Sequence, residues 1–292
     1  MMPPTVLRVL SSEKLETPNI APDQSIGNST GEFRRIEDKH LVDAPLLGEV
    51  LTVISQYMDA SYLDDDTDYT LIESLYFDSD NLDFFRHHFM GLDTRYKIRA
   101  RRYAPNGKWS EGPVLLELKR KKDGECKKSR FMLPKKDFEA LLEGKTLNFT
   151  KEICELNESM ESGALLRRVN KINELILKYE LKPSVRVRYH RNAFERDGFR
   201  ATVDSNIEVK ILKDVDTELA AELKGLDIWT KAEKVLRKYQ HGKKFVLELK
   251  HQGTIPAWAN DLLLNELGIK KTGFSKYCWG LANEVKEKAR LQ

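Results

Sequence analysis

RYKIRARRY, residues 95–103, sets a cation at every second position: Arg95, Lys97, Arg99 and Arg101, with Tyr96, Ile98 and Ala100 between them. Successive side chains of a β-strand point to opposite faces, so this spacing predicts a strand with one cationic face and one mostly apolar face. An ordinary half-buried strand turns its polar face to water. The question is whether this cationic face is only solvated or lines a space that holds an anion.

The two-residue charge spacing recurs. Glu37 and Lys39, Glu117 and Lys119, Arg186 and Arg188, and Glu248 and Lys250 each stand two apart, with Leu116, Leu118, Val187, Leu247 and Leu249 among the neighbours facing the other way. Strands are predicted at 32–42, 69–78, 95–102, 114–122, 125–133, 183–191, 199–209 and 243–250. Amphipathic helices interrupt them. One runs over 43–58 with Asp43 as N-cap and Pro45 in its first turn, and one over 134–144 closes on Gly144. A third carries Leu165, Leu166, Val169, Ile172, Leu175 and Ile176 on one stripe, and a fourth covers 256–268. There is no βαβ alternation, so the expected fold is α+β, a closed antiparallel eight-stranded β-barrel with helices packed outside.

The pattern by itself leaves two readings open, a solvated charged surface or an inward polar lumen. Unpaired buried charges cost several kcal/mol each. A lumen therefore requires water, a multiply charged anion and carboxylates able to take a divalent metal.

Charge balance excludes little, because 49 Lys and Arg stand against 46 Asp and Glu. Basic residues alternate with carboxylates and no groove-reading helix is apparent, so nucleic acid is not an expected partner. Cys126, Cys154 and Cys278 are far apart with no CxxC pair, which argues against a disulfide framework or zinc ribbon. No apolar run has the length of a membrane span and no signal-peptide pattern opens the chain, so we expect a cytoplasmic protein without an integral membrane segment. Residues 1–31 read as a poorly ordered head and 32–292 as one domain; the oligomeric state is not legible. Asp64, Asp65, Asp66 and Asp68 read as a solvated loop. The GKT at 144–146 is no Walker motif, since Glu139 stands where its first glycine belongs and a helix precedes it.

In order along the chain, ESLYFDSDNLDFF, KIRARRY, VLLELKRK, KKSRF, VRYHRNAFE, FRATVDSNI, FVLELKHQGTIPAW and GFSKY resemble the polyphosphate polymerase domain of the vacuolar transporter chaperone (VTC) family, within the CYTH-like triphosphate tunnel metalloenzymes. The resemblance runs from about Phe33 to Gly280. It implies an eight-stranded tunnel that binds ATP with Mn2+ or Mg2+ and transfers the γ-phosphate to a growing polyphosphate chain. Two alternatives stay open: a tunnel triphosphatase, and a non-catalytic binder of polyphosphate, an inositol polyphosphate or another polyphosphorylated small molecule. By resemblance Arg99, Arg101, Lys119, Arg191, Arg200 and Lys276 are catalytic. Lys39, Lys128, Lys250 and Ser275 add phosphate contacts, and Glu248, helped by Glu37 or Glu117, binds metal. Gly273 departs from a lysine often found there, with Lys270 and Lys271 nearby as substitutes. Arg186 and Arg188 are left between an inward and an outward placement, and Arg95 and Lys97 between the site and its mouth.

Overall fold

A computed structural model of the protein describes residues 35–61, 68–104, 112–213 and 243–288, with 215, 218–219, 222–223 and 232. The head at 1–31, Asp64, Asp65 and Asp66 lie outside the described residues. Strands form where the alternation was read: β1 (Arg35–Asp43), β3 (Thr70–Asp78), β4 (Arg95–Ala104), β5 (Val114–Lys122), β6 (Glu125–Leu133), β7 (Lys182–Arg196), β8 (Phe199–Ile211) and β9 (Lys244–Gln252). A two-residue strand, β2 (Asp59–Ala60), pairs with β7.

All pairings are antiparallel, in the order β1-β9-β8-β7-β3-β4-β5-β6. The sheet is strongly curled. In a flat sheet β1 and β5, six steps apart, would be separated by roughly 29 Å at about 4.8 Å per strand. Yet Lys119 Nζ on β5 lies 4.0 Å from Glu37 on β1.

The expected closed eight-stranded barrel is corrected here to an open, curled half-barrel of nine strands. No ladder joins β1 to β6 among the described residues. The free edge of β1 is taken by the chain itself: Thr272 N–H donates to the Lys39 carbonyl at 2.7 Å, and Leu41 N–H donates to Thr272 Oγ1 at 3.0 Å. With those edge groups satisfied, β1 has no reason to pair with β6 there.

Helices cover the convex face. α1 (Leu47–Tyr57) and a π-helix (Ala259–Glu266) pack on apolar residues of β1, β8 and β9. α3 (Lys135–Leu142), α4 (Lys151–Glu155) and α5 (Ser162–Tyr179) cover β4 to β6. Leu165, Val169, Ile172, Leu175 and Ile176 are buried as the stripe predicts, but Leu166 is 39% exposed, one helical step off it. Asp43 makes no side-chain cap; a 3-10 turn, Ala44–Leu46, holds Pro45 and precedes α1, and Asp43 pairs with Lys244 instead.

A last helix, α6 (Lys276–Lys288), lies on the concave face with α2 (Asp83–Met90), packed on Tyr76, Val185, Val187 and Tyr189. Sequence reading left it as an unassigned terminal segment. Its close seat depends on Gly280, where a Cβ would meet Val209 Cγ1 at 2.4 Å. Among the described residues no helix is long and apolar enough to cross a membrane.

Candidate phosphate-binding cavity

The odd positions of β4 face the concavity, and the ladder sets Arg99 opposite Glu117 and Lys97 opposite Lys119. Arg99 Nε donates to Glu117 Oε2 at 2.6 Å, and its Nη1 donates to the Tyr76 hydroxyl at 3.1 Å. Arg101 lies 3.6 Å from the same carboxylate and donates to Ser74 Oγ at 3.4 Å. Lys128, from β6, reaches the other Glu117 oxygen at 3.2 Å. One buried carboxylate thus serves three cations. Burial pushes the Glu117 carboxyl up, but Arg101, Arg99 and Lys128 overcome this and hold it well below the usual carboxylate range. Lys128 responds oppositely: burial lowers its pKa to about 8, Glu117 opposes the fall, and Arg99, Arg101 and Lys250 deepen it.

The facing wall comes from β1, β9 and β7. Lys39 sits between Glu37 at 2.9 Å and Glu248 at 3.3 Å, and Lys250 reaches Glu248 at 2.8 Å. Burial works against the Lys39 charge, but Glu248 and Glu37 raise its pKa above the ordinary lysine value. Arg191 forms a two-pronged contact with Asp204, Nε to Oδ1 at 2.6 Å and Nη2 to Oδ2 at 2.7 Å. Lys276 is the second partner of Asp204, at 2.5 Å, and stands 4.3 Å over the Tyr189 ring. Ser275 caps α6: its hydroxyl accepts from Cys278 N–H at 3.4 Å and from Lys97 Nζ at 2.9 Å.

The cavity between these walls is lined by eight cations, Lys39, Lys97, Arg99, Arg101, Lys119, Lys128, Arg191 and Lys250, and three carboxylates, Glu37, Glu117 and Glu248. The formal excess is five positive charges. Such a surplus, enclosed by protein on several sides, is matched by an anion with several charged oxygens, and guanidinium forks suit phosphate oxygens.

Of the residues singled out by sequence, Lys39, Arg99, Arg101, Lys119, Lys128, Arg191, Lys250, Glu37, Glu117 and Glu248 converge on this cavity. Ser275 and Lys276 adjoin it through Lys97 and Asp204. Arg200 does not line it; the ladder sets Arg200 opposite Lys250, with Glu195 at 3.8 Å. Arg186 and Arg188 lie on the convex face beside Glu73, at 3.9 and 2.7 Å. Lys271 pairs with Asp38 at 2.5 Å and is no substitute at Gly273, while a Cβ on Gly273 would meet nothing within 4 Å. Sequence reading left the role of Lys97 open and missed Asp204 and the hydroxyls of Tyr76 and Ser74. Parity with Arg99 was the available signal for Lys97; the others are visible only through cross-strand register.

The three carboxylates differ as metal ligands. Glu117 has three cations shared over both oxygens and Glu248 has two, Lys39 and Lys250, while Glu37 meets Lys39 and, at 4.0 Å, Lys119 through its Oε1, so Glu117 fits that role least. Glu37 and Glu248 approach a single ammonium, that of Lys39; burial and then the Glu248 charge push the Glu37 pKa up, but Lys39, Lys119 and Lys250 hold it below the usual carboxylate value. Magnesium is commonly held by one or two carboxylates together with substrate phosphates, and this pair fits such a site. Among the described residues no three His, Cys, Asp or Glu side chains form a metal site by themselves.

Comparison with known proteins gives a consistent picture. The VTC domain profile matches residues 34–285. Vacuolar transporter chaperone complex subunit 4 of Schizosaccharomyces pombe is 24% identical over 297 residues, covering 93% of this chain and 40% of that protein. Subunit 2 of the Saccharomyces cerevisiae complex is 31% identical over 152 residues, covering 47% of this chain and 18% of that one. The chain therefore spans well under half the length of these relatives. A solved structure of a candidate adenylate cyclase from Bacillus halodurans aligns with a TM-score of 0.45 and 14% identity over 82% of this chain and 93% of that one, too loosely to add to the argument.

Proposed function

The chain belongs to the VTC domain family, and from that premise we propose that its cavity transfers the γ-phosphate of ATP to the end of a growing polyphosphate chain. The observation that supports this most is the gathering of eight cations and three carboxylates from six strands around one space. In phosphoryl transfer the protein's main work is to align attacking and leaving oxygens and to neutralise charge.

A terminal oxygen of the acceptor chain attacks the γ-phosphorus. The bond from that phosphorus to the β–γ bridging oxygen breaks, the electron pair leaves with ADP, and one phosphoanhydride replaces another. No side-chain nucleophile takes part. Arg99, Arg101 and Arg191 hold β- and γ-phosphate oxygens, pre-set by Glu117 and Asp204. Lys119, Lys128 and Lys276 neutralise charge on the acceptor and leaving group, and Lys39, Lys250 and Ser275 extend the track, while Arg200, outside the cavity lining, takes no part. A manganese or magnesium ion held by Glu248 and Glu37 with phosphate oxygens would add charge neutralisation. Assembly with other subunits of a VTC-type complex, and a cavity supplied from the cytoplasm, belong to the same proposal.

Incubation with ATP and manganese, followed by sizing of the phosphate products, tests the reading. Long polymer supports it; orthophosphate alone replaces it with a triphosphatase. The engagement of every cavity carboxylate by a cation favours a second reading, a non-catalytic polyphosphate binder. Tight tripolyphosphate binding without turnover under any divalent metal selects that reading.

A further inference from the structure

Behind the cavity, on the opposite face of the strands that carry Glu117 and Lys128, a second cleft of about 250 Å³ opens between β5, β6 and α5. Its floor is Leu118 and Phe131, with Ser129 directly across the ladder from Leu118. Its roof is a single stripe of α5, in which Ala164, Arg167, Arg168, Lys171 and Ile172 recur at three- and four-residue intervals. The cleft is open to solvent along its Arg167 rim, while Leu118, Phe131 and Ile172 beneath are buried. The small side chains Ser129 and Ala164 stand where longer ones would meet.

The roof is cationic and incompletely balanced. Arg167 lies 3.4 Å from Glu161, and Lys171 is bonded to Glu174 at 2.7 Å. Arg168 donates to a neutral acceptor, the Arg130 carbonyl, at 2.6 Å, and among the described residues no carboxylate lies within ion-pair distance of it. Burial, and then the Arg130 charge, pulls its pKa below the usual guanidinium value. A cavity of about 150 Å³ takes a benzene ring, so the larger cleft takes a ring with a short chain.

We propose that this cleft binds a small free organic anion, a ring-sized apolar body on Leu118, Phe131 and Ile172 with a single carboxylate or sulfonate head on Arg168 and Lys171. Such a ligand touches the back of the phosphate site. Leu118 stands between Glu117 and Lys119, Ser129 stands between Lys128 and Arg130, and β6 is an edge strand.

Titration calorimetry with 4-phenylbutyrate tests this directly. The expected result is one saturable site, about tenfold weaker for 4-phenylbutanol, which lacks the head, and undisturbed by saturating tripolyphosphate. Ala164→Leu, which fills the cleft, should abolish binding with the melting temperature kept or raised, and Arg168→Gln should weaken it about tenfold; Ser129→Leu serves if Ala164→Leu fails to fold. Absence of saturable binding overturns the proposal. So does equal binding of the alcohol, displacement by tripolyphosphate, which would place the ligand in the phosphate cavity, or full binding by a folded cleft-filling variant.

Discussion

Glu117 and Glu73 sit on opposite faces of one sheet, and each is a buried carboxylate with three cations around it. Around Glu117 stand Arg99, Arg101 and Lys128; around Glu73 stand Arg102 at 2.5 Å, Arg188 at 2.7 Å and Arg186 at 3.9 Å. What differs is where the surplus charge goes. The three arginine side chains beside Glu73 are each about a third exposed, 32 to 36%, so water solvates them. Beside Glu117, Arg99 and Arg101 are 25% and 7% exposed, Lys128 is 40% exposed toward the cavity mouth, and all three are faced by Lys39, Lys250 and Arg191 across the cavity. The same local pattern is an ordinary surface on the convex side and lines the proposed anion site on the concave side. Enclosure decides, because charges in a low-dielectric cleft are screened far less than charges at a surface.

The largest expected effect separates neighbouring arginines. Arg101→Ala should lower polymer synthesis from ATP by about 100-fold, the scale for removing one preorganised donor from a charge-stabilising site. Arg102→Ala, next in sequence but on the convex face, should change it less than about twofold. Similar losses in two folded variants would erase the distinction between the faces. Next come the two carboxylates. Glu117→Gln strands enclosed cations and should cost about 3 kcal/mol in chemical denaturation, much of it recovered on adding tripolyphosphate. Glu73→Gln should cost about 1 kcal/mol, because solvent screens its arginines, with no such recovery. Recovery of both or neither by the anion would break the comparison.

The faces were partly legible in the sequence. Alternation in RYKIRARRY placed Arg99 and Arg101 together, while Arg186 and Arg188 stayed open between two placements although their odd spacing from Arg191 carries the answer. Alternation does not say which face is concave; that follows from sheet curl and from where helices pack. It also fails at a bulge. In β8 the ladder skips between Glu208 and Ser205, with Asn206 at φ +48°, so Thr202 and Asp204 share the concave face with Val209, an odd number of residues away. The expectation of closure failed because the edge of β1 is taken by Thr272, a contact between segments more than 200 residues apart with no local signature. Helix α6 went unassigned because Gly280 and a run of aromatics give no clear local helix signal, while tertiary contact with Val209 requires that glycine.

A smaller effect should appear in pH dependence, and only on the concave side. In the free protein Lys128, lowered to about 8, loses its charge as pH rises through that value. A bound polyanion keeps it protonated, so affinity is fully present below pH 8 and falls above it, by at most about tenfold per pH unit. Tripolyphosphate dissociation constants measured from pH 7 to about 9.5 should show this fall, and Lys128→Met should flatten it. Arg186→Met should leave the slope as it is. A flat wild-type profile would remove Lys128 from the site.

The smallest effect concerns a cation that the cavity lacks. Gly273 lies two residues before Ser275, a Cβ there would meet nothing within 4 Å, and its backbone is outside the left-handed region that excludes L side chains. Gly273→Lys should therefore be accepted without strain. One added, solvent-exposed cation contributes about 0.5–1 kcal/mol, so tripolyphosphate affinity should rise about two- to fivefold, with the gain shrinking as salt is raised. A lysine placed instead at Leu212, 42% exposed and outside the cavity lining, is the matched control and should leave affinity within error. Equal gains at both positions would mean that net charge, and not the enclosed concave face, governs phosphate binding.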